Sequence, residues 1–545
     1  MAMALIPVAS SADLERQSKA RNDKLQQEDY IQGLSSHVRK RWEVAKDGRS
    51  DLEERMLQCV RQRNGDYDPQ IQAEIESQGG SDIFVQLTSV KCRAATSWLR
   101  DTLLGSGSDK PWSMDSSPVP ELPEEITQGL EAKLSQELMQ AMASTGAMPM
   151  QDEAMELNKE EAEKRVNRME RKMEDQLLEG GWYEAFNEFI EDIVTFPFAA
   201  LKGPVKRRRK VMKWEENKLV PKEVIRNEWE RVDPFNLYWA PWAWDVNDGF
   251  VIERHRMTSE NLQSLLDVPG YNNDAIRTVL ADFGRGGLDE WLWVDSARAT
   301  AEGKNTTEAT NTDDLIDALQ LWDSISGKLL VEWGVPEEDI EDQSLSYPCE
   351  VWLIGGTVIR AVLNYDPLGR KPYYLTSYES KPGSVAGKGV GDLCRDSQSM
   401  VNATARALAN NMGISSGPQV GVNISRLPAG EDISDMHPWK IWQFQSSDYN
   451  DGSPPLSFFQ PSSNAQELMA VFEKFSERAD EDTMIPKYMT GGHTPGAGRT
   501  SSGLSMMISN AGKGIKQVIN NIDKKVIVPA IERLYHDNLR YSDDP

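Results

Sequence analysis

Glycines and a lysine ahead of a helical pattern are the parts of a phosphate-binding loop, and Gly383-Ser384-Val385-Ala386-Gly387-Lys388-Gly389 has those parts. The motif needs four residues between its glycines, then Lys followed by Ser or Thr, whose hydroxyl holds magnesium. Here three residues separate Gly383 from Gly387, and Gly389 follows Lys388, so the hydroxyl is missing. Gly512-Lys513-Gly514 fails for the same reason. His37, His255, His437, His493 and His536 are scattered, without metal-ligand spacing. His255, flanked by Arg254 and Arg256 in a strand-like stretch, reads as a sheet residue rather than a base. Ser324 and Ser326 lie in no G-x-S-x-G elbow. The sequence predicts no catalytic residue, no cofactor and no metal.

One charged motif remains, Lys206-Arg207-Arg208-Arg209-Lys210. A basic run of this kind can hold nucleic acid. In a strand, however, alternate residues face opposite sides, so about half at most can meet one ligand. The run is either a contact for DNA or an acidic partner, or a solvated edge or subunit-interface charge pair. The chain as a whole is acidic, with 60 Lys and Arg against 86 Asp and Glu and a net charge of −26 over 545 residues. That argues against a generally DNA-adhesive surface, which needs clustered cations. Cys59, Cys92, Cys349 and Cys394 lie far apart with no CxxC, so we expect no disulfide framework and a reducing compartment. The first residues lack a basic segment ahead of their apolar run, and no run approaches a membrane span. We expect the chain to be cytoplasmic when made.

The elements that position these residues follow from periodicity. Residues 12–63 read as helical. A helix over 83–104 carries a stripe of Val90, Ala94, Trp98 and Asp101. Two Met- and Glu-rich helices are expected over 122–143 and 151–178. Strands over 196–213, 219–230 and 236–239 read as a meander, and Trp239, Trp242 and Trp244 around Pro241 as a packed corner. Thr258 caps a helix to about 266, and another covers 273–283. A linker over 299–312 leads to strands at 321–324, 328–333, 350–354, 357–363 and 373–378, with Gly355-Gly356 as a hairpin turn. A long helix follows, with Val390, Cys394, Ser397, Val401, Ala405, Leu408 and Met412 on one narrow face and Gly413 as its C-cap. Beyond it we expect strands at 419–423 and 439–444, a polar loop at 448–455, a helix at 464–484, a hinge at 489–498, and a final helix from 501 that Pro529 kinks or restarts.

The wording of these stretches adds to their pattern. Gly387-Lys388-Gly389-Val390, Asp396-Ser397-Gln398, Val401-Asn402, Arg406 and Asn410-Asn411 together resemble the stem helix of tailed-phage portal proteins. Gly498 to Met507 and Asn510 to Lys516 resemble the C-terminal region of portals from short-tailed, podovirus-type phages, and Tyr365 to Tyr373 agrees. The resemblance runs from about Asp192 onward, is weak before Trp182, and finds no counterpart for 113–178. It implies an elongated α+β subunit. Its parts would be a wing (1–260), a transition (261–312), a clip (313–382), a stem helix (383–413), a returning wing (414–498) and crown-proximal helices (499–545). Within the returning wing, loop 446–457 with Asp448, Tyr449 and Asn450 would face a channel, or else form an outer turn. The resemblance further implies a ring of about twelve copies in the virion, at a unique capsid vertex. Double-stranded DNA would pass through it non-specifically in packaging, retention and ejection. Major capsid protein, scaffold protein, terminase and tail adaptor would be its partners, the terminase being the separate ATPase. The alternatives are a DNA-packaging or processing enzyme, which needs nucleotide or metal, and an internal virion scaffold protein, which needs no channel.

Overall fold

The computed structural model describes residues 26–105, 110–116, 151–215, 218–284, 296–303, 315–333, 340, 342–423, 456–487 and 514–541. Helices and antiparallel sheets share the chain, which is α+β. The chain divides into two compact units, one of Met1–Val60, Lys91–Asp392 and Lys487–Pro545, the other of Arg61–Val90 and Leu393–Pro486.

The first unit contains two sheets. In the smaller, β1 (Ala199–Glu215) and β2 (Lys218–Val232) form a long hairpin, and β8 (Tyr373–Thr376) pairs with β1 only over Ala199–Lys202. The larger has the order β3 (Leu237–Trp239), β4 (Val251–Met257), β5 (Ile316–Ser326), β6 (Ser346–Ile354) and β7 (Thr357–Leu363). Side chains alternate across a strand, and both faces of this sheet are covered. Leu319, Leu321, Val351 and Leu353 pack with Leu34, Val38 and Trp42 of the helix Gln26–Asp47. Ala318, Trp352 and Ile354 pack with Ile276 and Val279 of the helix Asn273–Phe283. The expected Gly355-Gly356 turn closes β6 onto β7, with Ile354 opposite Thr357 and Gly355 at φ 62°.

A third packing layer comes from the helix Trp182–Thr195, which buries Trp182, Phe186, Phe189, Ile190 and Ile193. Trp182 stacks on Phe186 at 5.4 Å and meets Trp229 of β2 edge-on at 4.7 Å. Burying one such side chain contributes about 1.5–3 kcal/mol.

Several expectations need correction. Lys328 to Trp333 is not a strand. The helix Gly327–Glu332 starts after an extended Ser326 and buries Leu330, and a short apolar run does not by itself separate the two. The meander breaks, because β3 pairs with β4 in the larger sheet while β1 and β2 stay with β8. The tryptophan corner is open, with Trp242 and Trp244 58% and 74% exposed; Trp239 packs edge-on to Phe198 at 4.8 Å, and Trp242 meets Phe250 edge-on at 5.8 Å. The helix Leu87–Leu104 buries Thr88, Cys92, Ala95, Leu99 and Leu103, a different phase from the expected stripe. The final helical run buries Ile515, Val518, Ile522 and Val526, and it widens into a π-helical turn over Asp523–Ile527 before Val528–Tyr541. The Gln151–Glu179 helix forms as expected. The expected helix at 122–143, strand at 439–444 and loop at 448–455 lie outside the described residues.

Strands from the ranges expected as wing and clip share both sheets: β3 and β4 with β5 to β7, and β1 with β8. The second unit holds the helix Pro69–Gln78, most of the helix Val390–Ser415, the strand pair β9 (Gln419–Val422) with β10 (Leu456–Phe459), and the helix Ala465–Thr483.

Candidate assembly and channel site

The glycines before the long helix are there for space. A Cβ on Gly387 would stand 2.1 Å from the Glu379 carbonyl oxygen, and one on Gly389 2.4 Å from that of Phe196. At Gly391 it would meet Cys59 Sγ at 2.8 Å. The stretch that resembles a phosphate cradle is filled by the protein's own backbone. Asp392 then fixes the first turn: Arg55 donates to its two carboxylate oxygens at 3.1 and 2.9 Å and to the Gly387 carbonyl at 2.9 Å.

Along the helix, Val390, Cys394, Ser397 and Val401 are buried. Ala405 and Leu408 are half-buried, and Met412 is 57% exposed. The small-residue face is therefore covered over its first three turns and open over the last ones. A second face does as much. Gln398 Oε1 accepts from the Thr88 backbone N–H at 2.9 Å and from the Thr88 hydroxyl at 3.0 Å, and its amide donates to Asn402 Oδ1 at 2.9 Å. Asn402 Oδ1 also accepts from the Val85 N–H at 2.9 Å, and Asn410 Oδ1 from the Ser81 N–H at 3.0 Å. Arg406 lies over the Tyr67 ring at 4.9 Å, while the Tyr67 hydroxyl donates to the Ile83 carbonyl at 2.6 Å. Positions 398, 402, 406 and 410 are four apart, so they form one row on the helix. This row satisfies the backbone of segment 81–88, which has no sheet partner of its own. Its spacing was readable in the sequence; its target was not.

The basic run lies on β1 and is largely neutralised within the chain. Arg207 pairs with Glu230 and reaches Glu228, Arg208 pairs with Glu223 at 3.4 Å, and Arg209 with Glu228 at 2.5 Å. Lys206 sits over the rings of Tyr365 and Tyr541, at 4.8 and 4.1 Å, and Lys210 is exposed. Asp448, Tyr449 and Asn450 lie outside the described residues.

Sequence reasoning missed a buried polar network that ties the two sheets together. Lys202 donates to Glu253 at 2.6 Å and to Gln320 at 2.8 Å, and Tyr373 donates to Glu253 at 2.7 Å. Gln320 passes the chain to Glu350 at 2.8 Å, and the Trp352 indole closes it at 2.7 Å. His255 stacks on Trp352 at 4.7 Å and meets Gln320 at 2.9 Å, in strand β4 as expected. Burial pushes the Glu253 carboxyl up, but His255 and Lys202 beside it hold it well below the usual carboxylate range. Burial likewise opposes the Lys202 charge, and Glu253 and Glu230 more than offset it, raising Lys202 above its ordinary value. Every member has a partner, as a buried network requires. Among the described residues no group of three or more His, Cys, Asp or Glu could hold a metal, and no helix is long and apolar enough to cross a membrane.

Close-packed glycines, an amide row and a charge-paired hairpin all hold one part of the chain against another. The family model described as phage SU10 portal protein matches residues 89–545, and the chain belongs to that family. It is a phage portal protein, a structural protein and not an enzyme. No curated protein matches the chain.

Proposed function

We propose that about twelve copies of this chain form a ring at one vertex of the capsid of a short-tailed phage. Double-stranded DNA passes through its centre during packaging and ejection. The family match over residues 89–545 carries this reading. The helix Val390–Ser415 is the stem: it is long, and Leu408 and Met412 leave the far half of its narrow face open for a neighbouring copy. Major capsid protein, scaffold protein, terminase and tail adaptor dock on the ring, which is made in the host cytoplasm and ends in the virion. Strands from the ranges read as wing and clip share two sheets, which supports treating those strands as one body. Loop 446–457 is the channel-facing loop.

The charge suits a channel. Twelve chains of −26 give −312, and repulsion reaching about 8 Å at physiological salt keeps the duplex from adhering. Each phosphate that a cation neutralises would add affinity and resist sliding. Negative-stain images of the purified chain should show rings with an open centre. Filter binding across a salt series should show weak duplex binding with a shallow slope, and no ATP turnover. Closed particles overturn the channel, and tight binding lost steeply with salt overturns the sliding reading.

A further inference from the structure

β8 stops backing the hairpin at Lys202, and beyond it β1 and β2 continue as a two-stranded ribbon, from Val205 opposite Glu228 to Glu215 opposite Lys218. A ribbon of two strands is marginal in water without something packed on it. Its register sets Met212 opposite Pro221, Trp214 opposite Leu219 and Arg208 opposite Ile225. Residues two apart and those directly opposite share a face, so Met212, Trp214, Leu219 and Pro221 form one patch, and Ile225 lies on the same face beyond the Lys210–Glu223 pair. Trp214 is 73% exposed, Ile225 72%, Met212 54% and Leu219 45%. Single exposed apolar residues are ordinary, whereas a contiguous patch marks an interaction site.

The ribbon also carries the opposite charge to the rest of the chain. Residues 199–232 hold eleven Lys and Arg against five Glu, a net +6 in a chain of −26, which leaves −32 on the remainder. We propose that this face of the hairpin docks on the acidic body of a second copy of the chain, with the apolar stripe at the centre of the contact and Lys210 beside it on the same face. The inference rests on the reading that copies of the chain associate, and names the surface that joins them. DNA fits the surface less well. Arg207, Arg208 and Arg209 already meet Glu223, Glu228 and Glu230, and an apolar stripe offers nothing to phosphates.

The test uses the full chain in sedimentation velocity over a concentration series. Trp214→Ser combined with Ile225→Ser alters exposed positions only, so the circular dichroism spectrum and melting temperature should match wild type. Association should need at least tenfold more protein. Lys210→Glu should weaken association as well, and reduce its dependence on salt. A benzophenone amino acid at 214 should cross-link to a second copy. A variant that associates like wild type, or a probe that captures only its own chain or added duplex DNA, overturns the inference while the ring reading stands. A wild-type chain that never associates overturns both.

Discussion

The two units solve the same problem with different interiors. The first is an apolar core: Trp182, Phe186, Phe189 and Phe198 are fully buried behind the hairpin, and three clusters fill the space around the two sheets. Among the described residues of the second, the buried ones are mostly polar. Thr88, Ser397, Gln398, Asn402, Thr404, Ser476 and Thr483 are inside with Cys394, Val401, Ala479 and Ile485, while Met400, Met412, Ile414, Phe458, Phe459 and Met469 face out. An apolar core is non-directional and tolerates repacking, whereas hydrogen bonds fix position at little net gain. The second unit is therefore precise without being self-sufficient. Its outward apolar residues are what a neighbouring copy or partner would cover.

This contrast breaks most visibly at Val401. It is among the few apolar residues wholly inside the second unit, and Val401→Asp would bury a charge with no partner. The expected loss is on the order of 3–5 kcal/mol. It should show in urea denaturation and, in sedimentation, as failed ring assembly; wild-type-like rings would mean that this face is not interior.

Gln398→Ala sharpens the comparison. It leaves the Thr88 N–H without its partner and removes one of the donors to the Val85 carbonyl, at an expected cost of about 1–3 kcal/mol. Hydrogen exchange should speed up at 85–88 and leave the sheets of the first unit unchanged. Uniform acceleration in both units would argue that the row has no local role.

The smallest effect belongs to the charged hairpin. Arg208 and Glu223 form an exposed pair, and Arg208→Ala should change stability by no more than about 1 kcal/mol, measured by chemical denaturation. A larger loss would show that the ribbon depends on its charge pairs rather than on whatever covers its apolar face.

Much of this architecture was legible where the physics is local. The 3.6-residue period located the long helix and the buried side of its first turns at Val390, Cys394, Ser397 and Val401. Thr258, at the N-cap, accepts from the Asn261 N–H as its sequence suggested. The Gly355-Gly356 turn fixed its own register. What stayed hidden was non-local. Nothing in residues 236–239 says that β3 joins β4 instead of β2, because pairing partners are chosen by the assembled core. Met412 continues the helix period past the point where neighbours cover it, so its exposure is invisible to spacing. Gln398 and Asn402 entered the sequence reading only through the resemblance of the helix's wording. Their role depends on a segment that lies 317 residues from Asn402 in sequence. Trp242 and Trp244 read as core because of their size, yet the chain leaves them at the surface.

The glycines ahead of the long helix separate two kinds of intolerance to change. Gly383 has φ 75° and nothing within 4 Å of where a Cβ would sit, so its demand is conformational, and Asn, which enters that backbone region readily, can stand in for it. Gly387, Gly389 and Gly391 are not among the glycines of positive φ; their demand is for volume, and alanine is already too large. In a saturation library the first position would accept a small, chemically defined set of replacements. The other three would return glycine alone, and they would do so whether or not any DNA, motor or tail protein were present, because the atoms that exclude a side chain belong to the subunit itself.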